Sequence, residues 1–352
     1  MNINVPFDPQ IFYSRQIVLQ ELGLKGQQKL KQSKVAVAGV GGLGSVSALY
    51  LALAGVGFLR LIDQDTVELH NLHRQVLYSF GNLRYPKVEA AAQRIKSLNP
   101  EVEVEPIPEN IRADNVEELI NGVDVVVDGL DNMRTRYLIN RVCAEHGIPY
   151  VFGAAIGMEG NLSVFAPPET PCLECVLPNI EDDQLPTCDV RGVLGSTTGI
   201  IGALQAMETI KLLANINETL KGRLLVCDFT TMDFVKLDIY KSPDCPVCQG
   251  VMVEKPSISE RLIWLCGQKT VNINPSRPVL LNLEWIYEKL KNRFKTLLKS
   301  SMVLVFECCN GVEVSLFKSG RTLIKNVENE ENALKIYRSI MNELDDKFSS
   351  AS

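Results

Sequence analysis

A chain of 352 residues, 46% of them hydrophobic, has length for two or three domains and a sizeable buried core. Its net charge of -6, with a pI near 5.4, gives no general attraction to nucleic acid or to an anionic membrane surface, so neither is expected as a partner. The first residues carry no basic and apolar leader and no stretch approaches 18 uninterrupted apolar residues, so the expected location is cytoplasmic and the ten cysteines are expected as thiols or metal ligands rather than disulfides.

In chain order, Lys34 to Ala38 (KVAVA) reads as a short buried strand, GVGGLG as a turn, and SVSALYLALAGVG as a helix ending in glycine. FLRLIDQD follows as a second strand, which makes Val35 to Asp63 a βαβ unit. VDVVVDGLDN is a further buried strand with acidic residues at its carboxyl end, RTRYLINRVCAEHG a helix, and IPYVFGAA another strand. This alternation predicts an α/β, Rossmann-like, doubly wound and mostly parallel sheet. From Asn161 the pattern changes to NLSVFAPP, a cysteine-bearing loop, the helix GIIGALQAMETIKLLA, and the strands RLLVCDFTT and VKLDIY, expected as an antiparallel extension of the same core. The polar segment VEKPSISE reads as a linker, dividing a domain of residues 1–252 from a small α+β domain of residues 253–352. In the latter, WIYEKLKNRFKTLLK reads as one helix, MVLVFECC, VEVSLF and TLIKNV as strands, and EENALKIYRSIMNELDD as a closing helix.

Gly39, Gly41 and Gly44 match G-x-G-x-x-G between strand and helix, where backbone N–H groups and the positive helix end can hold phosphate. Asp63, 19 residues after Gly44, stands where a ribose-binding acid belongs, and Asp65 joins it as a second candidate acid. The fingerprint alone most commonly means NAD or FAD binding, and a glycine turn with no ligand is the bland reading. Arg74 and Lys87, placed just past the second strand and at the start of the next helix, favour a triphosphate attacked at its α-phosphorus, because that reaction needs fixed cations on developing charge. Asp131 is placed to hold Mg²⁺, since hard cations prefer carboxylate oxygens. Each of these residues taken singly is also compatible with an ordinary surface charge.

The blocks YSRQIVLQELGLKGQQKLKQSKVAVAGVGGLGS, LIDQDTVELHNLHRQ, PKVEAA, DGLDN, GAAIGMEG and TCDVRGVLG, in this order, resemble the MoeB/ThiF adenylyltransferases and their relatives, the ubiquitin-activating enzymes. The resemblance runs from about Phe12 to Gly250 and makes residues 1–252 an expected adenylation domain. It implies that Gly42, Asp63, Asn71, Arg74, Lys87, Asp131 and Asn132 bind ATP, with Asp63 on the ribose and Asp131 on magnesium. It also implies that Arg15 reaches the triphosphate from the other subunit of a homodimer. His70 stands where these enzymes often have serine. The implied reaction adenylates the C-terminal glycine of a small β-grasp, ubiquitin-like or sulfur-carrier protein ending in Gly-Gly. A conjugating enzyme or a sulfur donor would act next. No general base is required, because a carboxylate is already ionised at pH 7.

Cys172-x-x-Cys175 and Cys245-x-x-Cys248 are two knuckles able to chelate one tetrahedral Zn²⁺, although 69 residues separate them. Redox pairs or incidental thiols are the other reading, and the resemblance favours structural zinc. Cys188 is then left over in an acidic stretch near Arg191 and a helix start, where it could serve as a nucleophile toward the acyl-adenylate, although Asp189 opposes thiolate formation. Cys143 and Cys227 are expected in the core, and Cys308 and Cys309 in strand packing. Two other functions stay open at this level: an NAD(P)-dependent oxidoreductase, and a non-catalytic, zinc-stabilised interaction module.

Overall fold

The computed structural model describes residues 6–184, 191–216, 218–251, 262–265, 269–275, 279–309 and 311–344. The chain divides into two compact units, residues 1–83 with 87–257, and residues 84–86 with 258–352. No described helix is long and apolar enough to cross a membrane.

The first unit is built on eight strands: β1 (Lys34–Ala38), β2 (Phe58–Ile62), β3 (Glu103–Ile107), β4 (Val125–Asp128), β5 (Tyr150–Ile156), β6 (Glu159–Phe165), β7 (Arg223–Asp228) and β8 (Asp233–Asp238). Their order in the sheet is β3-β2-β1-β4-β5-β6-β7-β8. The first five run parallel, and β6, β7 and β8 are added antiparallel, as the change of pattern at Asn161 predicts. β1 is flanked by β2 on one side and β4 on the other, so the chain reverses its winding direction there and leaves a crevice at the carboxyl ends of these strands. VVVD in β4 is buried throughout, and β1 is buried after Lys34, as expected of strands covered on both faces.

Helices α1 (Pro9–Phe12), α2 (Ser14–Ile17) and α3 (Gly23–Gln32) precede β1. They are followed along the chain by α4 (Gly42–Ala54), α5 (Lys87–Leu98), α6 (Val116–Ile120), α7 (Met133–His146), α8 (Leu173–Val176) and α9 (Gly195–Ala214). Leu138, Ile139, Val142 and Cys143 of α7 pack on Ala36, Ala38, Val126 and Phe152 of the sheet. Helix α9 lies against α4 at very close range, because a Cβ on Gly202 would stand 2.6 Å from the Leu43 carbonyl oxygen. At that crossing Ser47 donates a hydrogen bond to the Gly202 carbonyl at 2.9 Å. Cys143 and Cys227 are buried, as expected.

The second unit is an antiparallel sheet of β9 (Leu262–Leu265), β10 (Thr270–Ile273), β11 (Lys295–Lys299), β12 (Val303–Cys309), β13 (Val312–Phe317) and β14 (Thr322–Lys325), ordered β11-β12-β13-β14-β10-β9. Helices α10 (Leu283–Leu290) and α11 (Glu330–Leu344) place Ile286, Leu290, Ala333 and Ile340 on Val271, Val314, Leu316 and Ile324 of one sheet face. The helix expected from Trp285 through Lys299 is therefore a correction. It ends at Leu290, and KTLLK becomes β11, paired with β12. Pairing and apolar contact with a neighbouring strand outweigh the weak helical preference of five residues. A bulge between Glu307 and Cys309 leaves Cys308 half-buried against the core and Cys309 exposed, so the strand packing expected of both thiols holds for Cys308 alone. The expected linker VEKPSISE lies outside the described residues.

Candidate nucleotide site and thiol cluster

The crevice begins with an interlock of glycines. Gly39 has φ +86, and a Cβ there would lie 2.6 Å from the Gly129 carbonyl oxygen. A Cβ on Gly44 would lie 1.8 Å from the Gly39 carbonyl oxygen, and one on Gly129 only 2.1 Å from it. The loops after β1 and β4 thus touch backbone on backbone, which only glycine permits. Gly129 belongs to the site as much as the fingerprint residues do, and G-x-G-x-x-G gives no hint of it. Gly42 abuts Thr198 of α9, and Gly41 has no atom closer than 3.9 Å to its would-be Cβ. Helix α4 begins at Gly42 with no side-chain cap, leaving the N–H groups of a 13-residue helix for an anion.

Asp63, one residue past β2, holds this loop. Its carboxylate accepts the N–H of Val40 at 2.7 Å and that of Asp65 at 2.8 Å. Lys87, buried at the start of α5, donates to Asp65 at 2.7 Å. Burial pushes the Asp63 carboxyl upward and Lys87 pulls it back. Burial likewise works against the Lys87 charge, but Asp63 and Asp65, with Asp131 adding to them, hold the ammonium protonated beyond the ordinary lysine range. A permanently charged lysine is thus set beside the glycine loop. Tyr78 donates to the Val40 carbonyl at 2.7 Å and fastens the turn after Arg74 to the same loop.

The two acids at the end of β4 have different surroundings. Asp128 is fully buried, accepting from Arg136 Nε at 3.0 Å, Tyr150 Oη at 2.8 Å and the Leu130 N–H at 2.8 Å. Arg136 also donates to the carbonyls of Leu130 and Gly153, so this pair is a brace for the loop. Asp131 is exposed, and Asn132 caps α7 by accepting the Thr135 N–H at 2.9 Å. Asn71 uses its Oδ1 to accept the Glu68 N–H, closing the turn Leu69–Asn71. Arg74 donates to the His70 carbonyl at 2.8 Å, and the same nitrogen lies 2.9 Å from His73 Nε2. Arg15 is exposed on α2 and makes no ion pair among the described residues. The crevice thus brings together Gly39, Gly41, Gly42, Gly44, Asp63, Asp65 and Lys87 with Asp131 near by. Arg74 is held on its own turn, and Arg15 makes no contact with this group.

Residues 13–247 match the ThiF family. The chain belongs to the ThiF family. Relatives within reach of it include the SAMP-activating enzyme E1 of Haloferax volcanii, 45% identical over 237 residues, which are 67% of this chain and 87% of that one. The adenylyltransferase and sulfurtransferase MOCS3 of Culex quinquefasciatus is 41% identical over 264 residues, 74% of this chain and 59% of that one, so the chain spans well under two thirds of that relative. Among solved structures, E. coli MccB with ATP superposes with a TM-score of 0.61 and 26% identity, covering 67% of this chain and 74% of that one.

This ThiF-family chain also gathers the two cysteine knuckles. Strands β6 and β8 run in the same direction with β7 between them, so Cys172 leaves from the same sheet end as Cys245. The four sulfurs of Cys172, Cys175, Cys245 and Cys248 lie within 4.8 Å of one another. Individual separations are 3.9 Å for Cys172 to Cys175, 3.6 Å for Cys172 to Cys245 and 3.4 Å for Cys175 to Cys248. A tetrahedron with metal–sulfur bonds of about 2.3 Å has edges of about 3.8 Å, so the donor set fits Zn²⁺. Asn140 accepts the Leu173 N–H at 2.8 Å, and Arg141 grips Glu174 through two bonds, which fixes the first knuckle to α7. Burial raises the Cys172 thiol, and raises Cys248 to about 11. Cys188 lies outside the described residues. Arg191, expected beside it, pairs with Glu159 at 2.7 Å.

Proposed function

We propose that the chain adenylates the C-terminal glycine of a small ubiquitin-like or sulfur-carrier protein with ATP. The carrying observation is the buried Lys87, held charged by Asp63 and Asp65 beside an uncapped helix end, in a chain of the ThiF family. The substrate's carboxylate oxygen forms a bond to the α-phosphorus, the bond from that phosphorus to the bridging oxygen of the β-phosphate breaks, and pyrophosphate leaves with the electron pair. Lys87 and the N–H groups of α4 face charge that grows on the phosphate as this occurs. Asp63 takes the ribose hydroxyls, and Arg74 leaves its turn to meet the phosphates. Magnesium held by Asp131 would neutralise the leaving pyrophosphate. Gly41, Gly42, Asn71 and Asn132 line the nucleotide, and Arg15 completes the site from a second copy in a homodimer.

Downstream, the Cys188 sulfur forms a bond to the acyl carbon and AMP leaves, giving a thioester, or sulfide-level sulfur from a separate donor displaces AMP and leaves a thiocarboxylate. The relatives named for SAMP activation and for MOCS3 adenylyl and sulfur transfer support both branches. Zn²⁺ on Cys172, Cys175, Cys245 and Cys248 is structural in this reading, since four protein ligands leave no open position. The domain of residues 253–352 docks the protein substrate or its next carrier, and the enzyme works in the cytoplasm. A nicotinamide-dependent oxidoreductase has no use for a lysine charged at this position, and the ThiF match speaks against it. An interaction module without catalysis has no use for the uncapped α4 end.

Purified protein, ATP–Mg²⁺ and a cognate partner ending in Gly-Gly should exchange labelled pyrophosphate into ATP. No exchange with any such partner removes the proposal. Mass spectrometry of the partner after reaction with wild type and with Cys188→Ala separates the branches: a reducible adduct lost in the variant places the acyl group on that thiol.

A further inference from the structure

The adjacent cysteines Cys308 and Cys309 belong neither to the nucleotide crevice nor to the four-thiol cluster. In a regular strand consecutive side chains point to opposite faces, which keeps neighbouring sulfurs apart. Here the ladder between β12 and β13 slips: Glu307 faces Glu313 and Cys309 faces Val312, so two steps on β12 answer one on β13. Cys308 is the extra residue of the bulge, and the local bend brings the two side chains together, with their Sγ atoms 3.6 Å apart in a thiol–thiol hydrogen bond. Among the described residues no third ligating side chain joins the pair, and two thiolates do not complete a zinc site. The arrangement suits chemistry between the two sulfurs themselves.

The two thiols differ in access. Cys309 is exposed, and Cys308 is half-buried against the apolar core of the second unit. Burial, with the Cys309 contact adding to it, pushes the Cys308 thiol up to about 12, so Cys308 stays protonated at neutral pH and Cys309 is the nucleophile that a reagent meets first. We infer that Cys308 and Cys309 form a reversible dithiol–disulfide site that reacts with low-molecular-weight disulfides. The Cys309 thiolate attacks one sulfur of the small disulfide, whose S–S bond breaks; one thiolate leaves with the electron pair and takes up a proton, and Cys309 is left in a mixed disulfide. The Cys308 sulfur then attacks the Cys309 sulfur, and its proton passes to the second thiolate as that departs. In all, the two protein thiols give up two electrons and two protons, and the small disulfide becomes two thiols. Consecutive Cα atoms stand about 3.8 Å apart, nearer than most disulfides hold theirs, so the bridge between neighbours is readily reduced again. This site stands apart from the adenylation reading and does not depend on it.

The test incubates the full chain with oxidised glutathione, alkylates the thiols that remain, and weighs the peptide holding Cys308 and Cys309 by mass spectrometry. The expected wild-type result is loss of alkylation at both cysteines, a peptide lighter than the dithiol form by two hydrogens, and return of both alkylated thiols after dithiothreitol. Cys308→Ala, which keeps an apolar side chain against the core, should stop at the first step and carry one glutathione on Cys309. Cys309→Ser should carry neither a bridge nor a glutathione. Two fully alkylated thiols in the treated wild type overturn the inference. So does a lasting glutathione adduct on wild-type Cys309, because Cys308 then fails to displace it, and so does a bridge from either cysteine to any other part of the chain. Should Cys308→Ala not melt cooperatively, the two-hydrogen loss in the wild-type peptide decides the matter without it.

Discussion

Two acid–base clusters stand at the ends of β2 and β4, on either side of β1, and they are built on opposite principles. Around Asp128, every partner is spoken for: Arg136 closes on the carboxylate and on two carbonyls, Tyr150 adds a hydroxyl, and nothing is left to offer a ligand. Around Asp63, the carboxylate orders a glycine loop while Lys87 keeps a charge that two aspartates maintain at the edge of a crevice. A closed cluster contributes to stability and an open one is available to a ligand, although both read as aspartate at the carboxyl end of a strand.

That contrast is breakable by experiment. The largest effect is expected from Lys87→Met, which should lower pyrophosphate exchange by about 10²- to 10³-fold, since it removes a fixed cation from developing phosphate charge. Its melting temperature should change far less than that of Asp128→Asn. The latter leaves Arg136 buried without its counter-charge and should cost about 3 to 5 kcal/mol in chemical denaturation. If Lys87→Met destabilises as much as Asp128→Asn while retaining exchange, the distinction between open and closed clusters fails.

The thiol cluster extends the comparison to a closed site with a metal. Atomic emission should find one zinc per chain, and Cys172→Ser should lose it and melt at a lower temperature, with nucleotide binding reduced only as folded protein is lost. Because metal binding needs thiolates and burial raises Cys172 and Cys248, protons compete more strongly as pH falls. Chelator-driven zinc release should therefore quicken on acidification and slow toward alkaline pH. The smallest effect belongs to Arg191→Ala, whose exposed pair with Glu159 is worth about 0 to 1 kcal/mol, and a melt within a degree or two of wild type is expected.

Much of the first unit was legible because parallel strands buried on both faces write themselves as apolar runs, as KVAVA and VDVVVD do. The glycine fingerprint was legible because its spacing is a backbone requirement. Roles that depend on a partner distant in sequence were not. Asp128 and Asp131 look alike until Arg136 and Tyr150 are placed around the first. Lys87 could be expected near phosphate, but not beneath Asp65. The knuckles, 69 residues apart, could be paired from spacing as one reading among others and were favoured by resemblance, because their meeting depends on β6 and β8 ending at one sheet edge. KTLLK was misread because its neighbour β12, rather than its own propensity, decides its conformation.

The contact between Gly39 and Gly129 joins positions 90 apart in the chain (129 less 39). During folding, the first loop therefore cannot take its shape when its own βαβ unit forms. It must wait for β4 to pair with β1 in the register that sets Ala38 beside Asp128. A nascent or truncated chain ending before Val125 would carry the whole fingerprint in its sequence and still lack the cradle, so nucleotide affinity gained during synthesis would report the arrival of β4 rather than of the glycines themselves.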